Sequence, residues 1–387
     1  MNQIEAKIIK LIDENRETIL EFGRDIYNHA EMGYKEFRTS GKFVEFMEKR
    51  NLPVTKDLAI TGAKAYLNRE KAENVSLALL GELDALRIPQ HAHANPETQA
   101  AHCCGHHTQM AGVIGAALAL TDPEVAAALD GQVIFFAVPA EEYGEVEFKN
   151  TLIAENKIQY GGGKCELLRI GAFEDISLCL AHHTGYNGIS FGSGSGNGFV
   201  SKVIRMKGKA AHAAGCPEKG VNALSAASLG LQALGLNRET FRDEDCVRVH
   251  PIMTKGGDLV NVVPGEVVEI AREVFGSDKV SEADLTAHSG GSTDVGDVQH
   301  RMPVLTFHTG GATGGLHQVD FDIVDEEEAY ITTAKLFALS AYRLLRNGAA
   351  CAKQVVNDYK PRFASREEYV AFMDAFNKVE EKIRKVY

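Results

Sequence analysis

VSLALLGEL, residues 75–83, is a nearly continuous apolar run that ends in an acid, Asp84. An apolar run of that length without alternation reads as a strand buried on both faces. Three later segments repeat the pattern. GQVIFFAVPA (131–140) runs into Glu141 and Glu142, and DISLCLAHH (175–183) ends in His182 and His183. MPVLTFHTG (302–310) leads into a Gly-rich loop that carries His317. Helical segments lie between these runs. TQMAGVIGAALAL (108–120) follows the polar loop RIPQHAHANPETQAAHCCGHH, and Ile4, Ile8, Leu11 and Ile12 share one helical face. Buried strands separated by helices predict an α/β sheet covered on both sides. The ionisable residues collect just beyond the C-terminal ends of the strands, the edge at which open α/β sheets bind ligands.

Working outward, TSGKFVEFMEKRN (39–51) has a helical pattern, and the C-terminal segments DEEEAYITTAKLFALSAYRLL and SREEYVAFMDAFNKVEEKIRKV are helical too. NGISFGSGSGNG (187–198) is rich in Gly and Ser and reads as a linker. Beyond it, KVIRMKGKAAHAAGCPEKG, the helix VNALSAASLGLQALGL and VRVHPIMTKGGDLVNVVPGEVVEIAREV have the strand–helix–strand order of a small α+β unit. The chain returns to the first domain near Ser289. The expected division is a catalytic domain over 1–188 and 289–387, with an inserted smaller domain over 189–288.

The 387 residues carry a net charge of −12 and no basic run, which argues against a nucleic-acid partner. No segment approaches the ~18 consecutive apolar residues of a membrane span, and the charge-dotted N-terminus lacks a signal-peptide core. Seven scattered cysteines fit a reducing, cytoplasmic setting better than a disulfide framework.

The chemistry rests on four strand-end elements. CCGHH (103–107) offers thiolate and imidazole, both good ligands for zinc-like ions. Read alone it serves equally well as a solvated loop, and Cys103–Cys104 also admits a thiol or redox reading, although a Cys-x-x-Cys spacing is missing. Glu141 and Glu142, side by side at a strand end, repel unless a cation or proton is shared. His182–His183 and His317 complete the group. Together these residues supply about the ligand number of a two-metal site.

These motifs resemble the zinc aminoacylase/carboxypeptidase family of amidohydrolases, metallopeptidase family twenty. The similar branch holds p-aminobenzoyl-glutamate, hippurate and indole-acetyl-amino-acid hydrolases. HAEMGYKEFRTS, GELDAL, HCCGHH, FAVPAEE, GGKCELLRIGAFEDISLCLAHHTG, GKAAHAAGCPEKGVNAL, GGDLVNVVPGEV, GSTDVGDV and LHQVDFDIVDEEEA follow the family's order over most of the chain. The resemblance implies a mixed-sheet, zinc-peptidase-like catalytic domain with an inserted α+β lid and dimerisation domain. It implies two divalent ions, zinc or manganese (cobalt in vitro), on Cys104, His106, Glu142, His183 and His317, with His182 as the alternative to His183. Glu141 matches the general base, and Asp84 an acid beside the site. His212 matches a histidine that reaches the partner subunit's site to steady an oxyanion. Asn261 and Arg272 match positions that hold the substrate carboxylate, a task suited to the planar fork of Arg. The implied activity is hydrolysis of the amide of an N-acyl or N-aroyl amino acid or a small peptide, in a homodimer or higher homo-oligomer. A catalytically silent protein that binds amino-acid conjugates is the competing reading. Two departures stand out. Cys-Gly-His is followed by His107, Thr108 and Gln109 where the indole-acetyl branch carries Asp and a further His. From Arg272 to Gly291 the chain is also too short for the family's helix–strand–helix stretch, which implies either a curtailed lid or a missing segment.

Overall fold

The computed structural model describes residues 2–186, 188–191, 195–245, 247–257, 259–261, 266–276, 288–376 and 380. The chain forms two compact units, Met1–Gly192 with Asp294–Tyr387, and Ser193–Thr293.

The first unit is built on a seven-stranded sheet. Its strands are β1 (Val54–Leu58), β2 (Gly62–Leu67), β3 (Ser76–Glu82), β4 (Gln132–Val138), β5 (Leu178–Thr184), β6 (Ser190–Phe191) and β11 (Val304–Thr309). The order across the sheet is β1-β2-β4-β3-β5-β11-β6. The central pairs β4–β3, β3–β5 and β5–β11 are parallel, whereas β1–β2, β2–β4 and β11–β6 are antiparallel. The apolar runs of the sequence are therefore the inner strands, which need apolar residues on both faces.

Alternation along each strand sends successive side chains to opposite layers. Leu77, Leu79, Val133, Phe135, Leu178 and Leu180 pack on one face. The helices on that face are α1 (Gln3–Glu14), α2 (Arg16–Asn28), α3 (Phe37–Glu48), α4 (His106–Leu120) and α7 (Thr333–Leu345). Ala78, Leu80, Ile134, Phe136, Cys179 and Ala181 face the other layer, with α5 (Gly163–Arg169) and α8 (Arg366–Asp374). Helix α4 lies beneath α2 and α7 and is buried nearly all round, so its sequence shows no polar stripe.

The second unit contains β7 (Ser195–Lys207), α6 (Ala223–Asn237), β8 (Arg248–Lys255), β9 (Glu266–Gly276) and β10 (His288–Ser292), with sheet order β8-β9-β7-β10. Ala223 and Ala227 of α6 pack with Met206 and Met253 of the sheet. Among its described residues, α6 is the only α-helix.

The predicted Gly/Ser linker needs correction. Ser190–Phe191 pairs with His308 and Phe307 of β11, and Ser195 already belongs to β7. Strand pairing uses backbone groups, so small residues with weak strand preference still join a ladder when partner strands fix the register. The short stretch after Arg272 falls largely on 277–287, outside the described residues. The predicted C-terminal helix is seen over Arg366–Asp374, with most of its remainder outside them as well. No helix among the described residues is long and apolar enough to cross a membrane.

Candidate metal centre

The centre forms where β3, β4 and β5 end, beside the N-terminus of α4. Gly105 caps α4 at φ +85°, and a Cβ there would lie 2.2 Å from Thr184 Oγ1. Only glycine permits this approach, which seats the Cys-Gly-His turn against the end of β5. Cys104 Sγ consequently lies 3.3 Å from His183 Nε2 and 3.3 Å from His317 Nε2. His317 Nε2 is also 3.1 Å from Glu142 Oε1. The backbone N–H of His317 donates to Cys103 O at 2.8 Å, anchoring the His317 loop to the same turn.

His106 opens α4. Its Nδ1 donates to the Asp84 carbonyl at 2.8 Å, which turns Nε2 toward Glu82 Oε2 at 3.1 Å and Glu141 Oε2 at 3.8 Å. Once neutral, a histidine whose Nδ1–H is fixed in this way presents a lone pair at Nε2, the usual arrangement of a metal-binding imidazole. His106 Nε2 is buried yet makes no hydrogen bond of acceptable geometry, and Asp84 Oδ1 is in the same position.

The turn carrying the acid pair is held at its backbone groups. Ala140, at φ +50°, donates its N–H to Glu36 Oε1 at 2.8 Å and accepts at its carbonyl from Gly163 N at 2.9 Å. Glu142 N donates to Asp84 Oδ2 at 2.9 Å, and the buried Lys149 Nζ donates to Glu142 O at 2.7 Å. A strained φ persists where its surroundings over-determine it, as here.

Burial, followed by the Glu142 charge, raises the Cys104 thiol well above its ordinary value. Burial opposes the charge on His106, but Glu82 and Cys104 raise its pKa well above that of free imidazole. Burial opposes the charge on Glu142 too, yet His317 and His106 hold it down to about 2. Glu141 is raised well above the usual carboxylate range by burial, with Glu82 and Glu142 adding repulsion.

The structure thus brings together Cys104, His106, Glu141, Glu142, His183, His317 and Asp84. His182 points away from them. Its Nε2 pairs with Thr309 Oγ1 at 2.8 Å, and its ring packs on Phe307 and Phe337. His212, Asn261 and Arg272 belong to the second unit. His212 is exposed and accepts at Nδ1 from Ala214 N and Gly215 N, which leaves the proton on Nε2. Asn261 is exposed and accepts at its carbonyl from Ala213 N. Arg272 lies on β9, with its side chain outside the described part. Sequence reading missed Glu82, Lys149, Lys164 and Glu36. A signal for Glu82 was available, because Glu82 and Asp84 are two apart at a strand end, the spacing that brings strand residues to one side.

Residues 196–270 match the family model described as a peptidase dimerisation domain. The chain is 28% identical to an Xaa-Arg dipeptidase of Mus musculus, over 67% of this chain and 56% of that protein. It is 27% identical to an IAA-amino acid hydrolase of Arabidopsis thaliana, over 69% and 58%. Identity to a p-aminobenzoyl-glutamate hydrolase polypeptide of Escherichia coli is 26%, over 69% and 52%. The matched part spans little more than half the length of these curated relatives. Among solved structures, a Bacillus subtilis protein described as a dinuclear metal binding peptidase superposes with TM-score 0.58 at 19% identity, over 86% of this chain and 99% of that one. An aminobenzoyl-glutamate utilization protein from Klebsiella pneumoniae gives 0.60 at 17%, over 88% and 99%. At those identities the superpositions establish the fold, while the dimerisation-domain match and the curated relatives carry the sequence likeness. In sequence and in fold the chain is similar to peptidases and hydrolases of metallopeptidase family twenty.

Proposed function

We propose that the protein is a metal-dependent amidohydrolase that cleaves the amide bond of N-acyl or N-aroyl amino acids, or of small peptides. The observation that carries this reading is the convergence of Cys104, His183, His317 and Glu142 beside a second set, His106 and Glu141, at the C-terminal edge of the sheet. Two ligand sets, Cys104/Glu142/His317 and Glu82/His106/Glu141, each place their ligand atoms within 4.8 Å of one another. Thiolate, imidazole and carboxylate suit zinc, and manganese shares the imidazole and carboxylate part. The buried, unpartnered Nε2 of His106 fits the same assignment.

When bound, the ions would polarise the amide carbonyl and bring the pKa of water toward ~7. Glu141 acts as the general base. It takes a proton from the attacking water and returns it to the leaving amine, and its raised pKa suits both transfers. Asp84 fixes the acid pair through Glu142 N and orients His106 through its own carbonyl. The Nε2–H of His212 serves as a donor to the developing oxyanion in the other subunit of a homodimer. Asn261 and Arg272 hold the substrate carboxylate. The dimerisation-domain match supports the dimer. The six described cysteines are all free, in keeping with a reducing cytoplasm.

The test is an amine-release screen across N-acyl and N-aroyl amino acids and dipeptides, with added manganese or zinc. Turnover that disappears in Glu141→Ala supports the reading. Tight binding of conjugates without any turnover would favour the silent binder instead.

A further inference from the structure

We propose that Glu82 is itself a metal ligand, completing the ion site on the His106 side, and that buried Lys164 holds it in place. This rests on the metal-centre reading above and adds to it a ligand outside the five implied by the family resemblance.

Glu82 ends β3 and is 5% exposed. Its Oε2 lies 3.1 Å from His106 Nε2, and Glu141 Oε2 lies 3.8 Å from the same nitrogen. One atom from each of the three residues falls within 4.8 Å of the others. The unpartnered Nε2 of His106 points into this space, with Nδ1 already committed to the Asp84 carbonyl. The His106 imidazole and the Glu82 carboxylate supply two donors of a divalent-ion site, and Glu141, the proposed base, borders it.

The rest of the Glu82 carboxylate is fixed by buried groups. Oε1 accepts from Lys164 Nζ at 2.5 Å, and Oε2 accepts from Gln109 Nε2 at 2.7 Å. Lys164 is fully buried. Its Nζ also donates to Asp294 Oδ1 at 2.6 Å, and its backbone N to Asp294 Oδ2 at 2.8 Å. The ammonium therefore cannot swing away, and Glu82 keeps one oxygen toward His106. With Glu82 included, this side offers nitrogen and oxygen ligands, while the Cys104 side is richer in sulfur and nitrogen.

The experiment compares metal-depleted wild type, Glu82→Gln and Lys164→Met. Each is titrated with manganese, and bound metal is counted after equilibrium dialysis. Thermal melts check that each variant is folded. Glu82→Gln retains one acceptor oxygen for Lys164 but is a far poorer ligand. It is expected to hold one ion where wild type holds two, with the second ion weakened about a hundredfold or more. Lys164→Met keeps the carboxylate and is expected to retain both ions, the second weakened about tenfold, as for an outer partner. Cobalt loading adds a spectroscopic signature. The visible absorption of the second ion is lost in Glu82→Gln and kept in Lys164→Met. Two-ion binding by Glu82→Gln with wild-type affinity and an unchanged cobalt spectrum overturns the role of Glu82 and leaves the metal centre standing. A wild-type chain that takes up no metal overturns the metal centre itself.

Discussion

The ammonium of Lys149 donates to the backbone carbonyl of Glu142 at 2.7 Å from a position that is 2% exposed. It ties helix 146–154 to the turn that carries Glu141 and Glu142, with the Tyr143 ring 4.7 Å away. Lys149→Met fills similar space without the donor, so the Glu142 carbonyl loses a charge-assisted hydrogen bond worth about 1.5–3 kcal/mol. The expected outcome is a folded protein with a lower melting temperature and about tenfold weaker zinc binding, read by competition with a chromophoric chelator.

His183 and His182 are adjacent on β5 and face opposite layers, so their alanine variants are expected to fail differently. His183→Ala removes a group 3.3 Å from Cys104 Sγ and should lose metal while keeping most of its stability. His182→Ala opens a hole against Phe307 and Phe337 and removes one of the two hydrogen-bond partners of Thr309 Oγ1, leaving Thr333 Oγ1. It should keep its metal and lose about 2–4 kcal/mol in urea denaturation. The reverse assignment of losses would make His182 the ligand.

Metal uptake is expected to strengthen as pH rises. In the metal-free protein, burial and Glu142 keep the Cys104 thiol protonated, and the Glu82 carboxylate keeps a proton on His106. A cation must displace both protons. Zinc titrations at pH 6 and pH 8 should show tighter binding at pH 8, with proton release visible to an indicator dye. Affinity independent of pH would contradict this.

Glu36 sets a stability trend of opposite sense. Burial, with repulsion from Asp84, raises its pKa from 4.5 to about 8, against hydrogen bonds from Thr61 Oγ1 and Ala140 N. Between these values the folded chain binds more protons here than the unfolded chain, so this contribution is full below about 4.5 and is lost as pH rises to about 8. Glu36→Gln is neutral at every pH and can still accept from Ala140 N. Urea midpoints for this variant should fall less than wild type between pH 5 and pH 8.

Gly105→Ala tests the close approach that builds the centre. A Cβ at φ +85° costs about 1–2 kcal/mol in left-handed backbone, and the clash with Thr184 adds about 1–3 more. The expected variant is markedly less stable and binds metal poorly, since Cys104 and His106 flank the shifted residue.

Much of the catalytic fold was legible because its inner strands are apolar on both faces and stop abruptly at charged residues. The ends of β3, β4 and β5 delivered Asp84, Glu141, Glu142 and His183 for that reason. The choice between His182 and His183 stayed open in the sequence, since a two-residue period cannot say which face is which until layers cover both. Lys149 and Lys164 were invisible because a buried lysine looks like a surface lysine until its partners are known. Glu36 hid in the same way, its carboxylate serving a turn more than a hundred residues later. The Gly/Ser stretch misled because its order comes from partner strands.

The discontinuity of the first unit also bears on biosynthesis. Strand β11 pairs parallel with β5, and His317 follows it, yet the whole of Ser193–Thr293 lies between them in the chain. A ribosome-bound chain holding only the first 192 residues has an open edge along β5 and lacks His317. It must wait for about a hundred further residues to be made, and such long-range closure is slow and exposed to mispairing. Metal ions would therefore reach an incomplete site before a complete one, which makes the interval before β11 docks a window in which the wrong ion, or none, is captured.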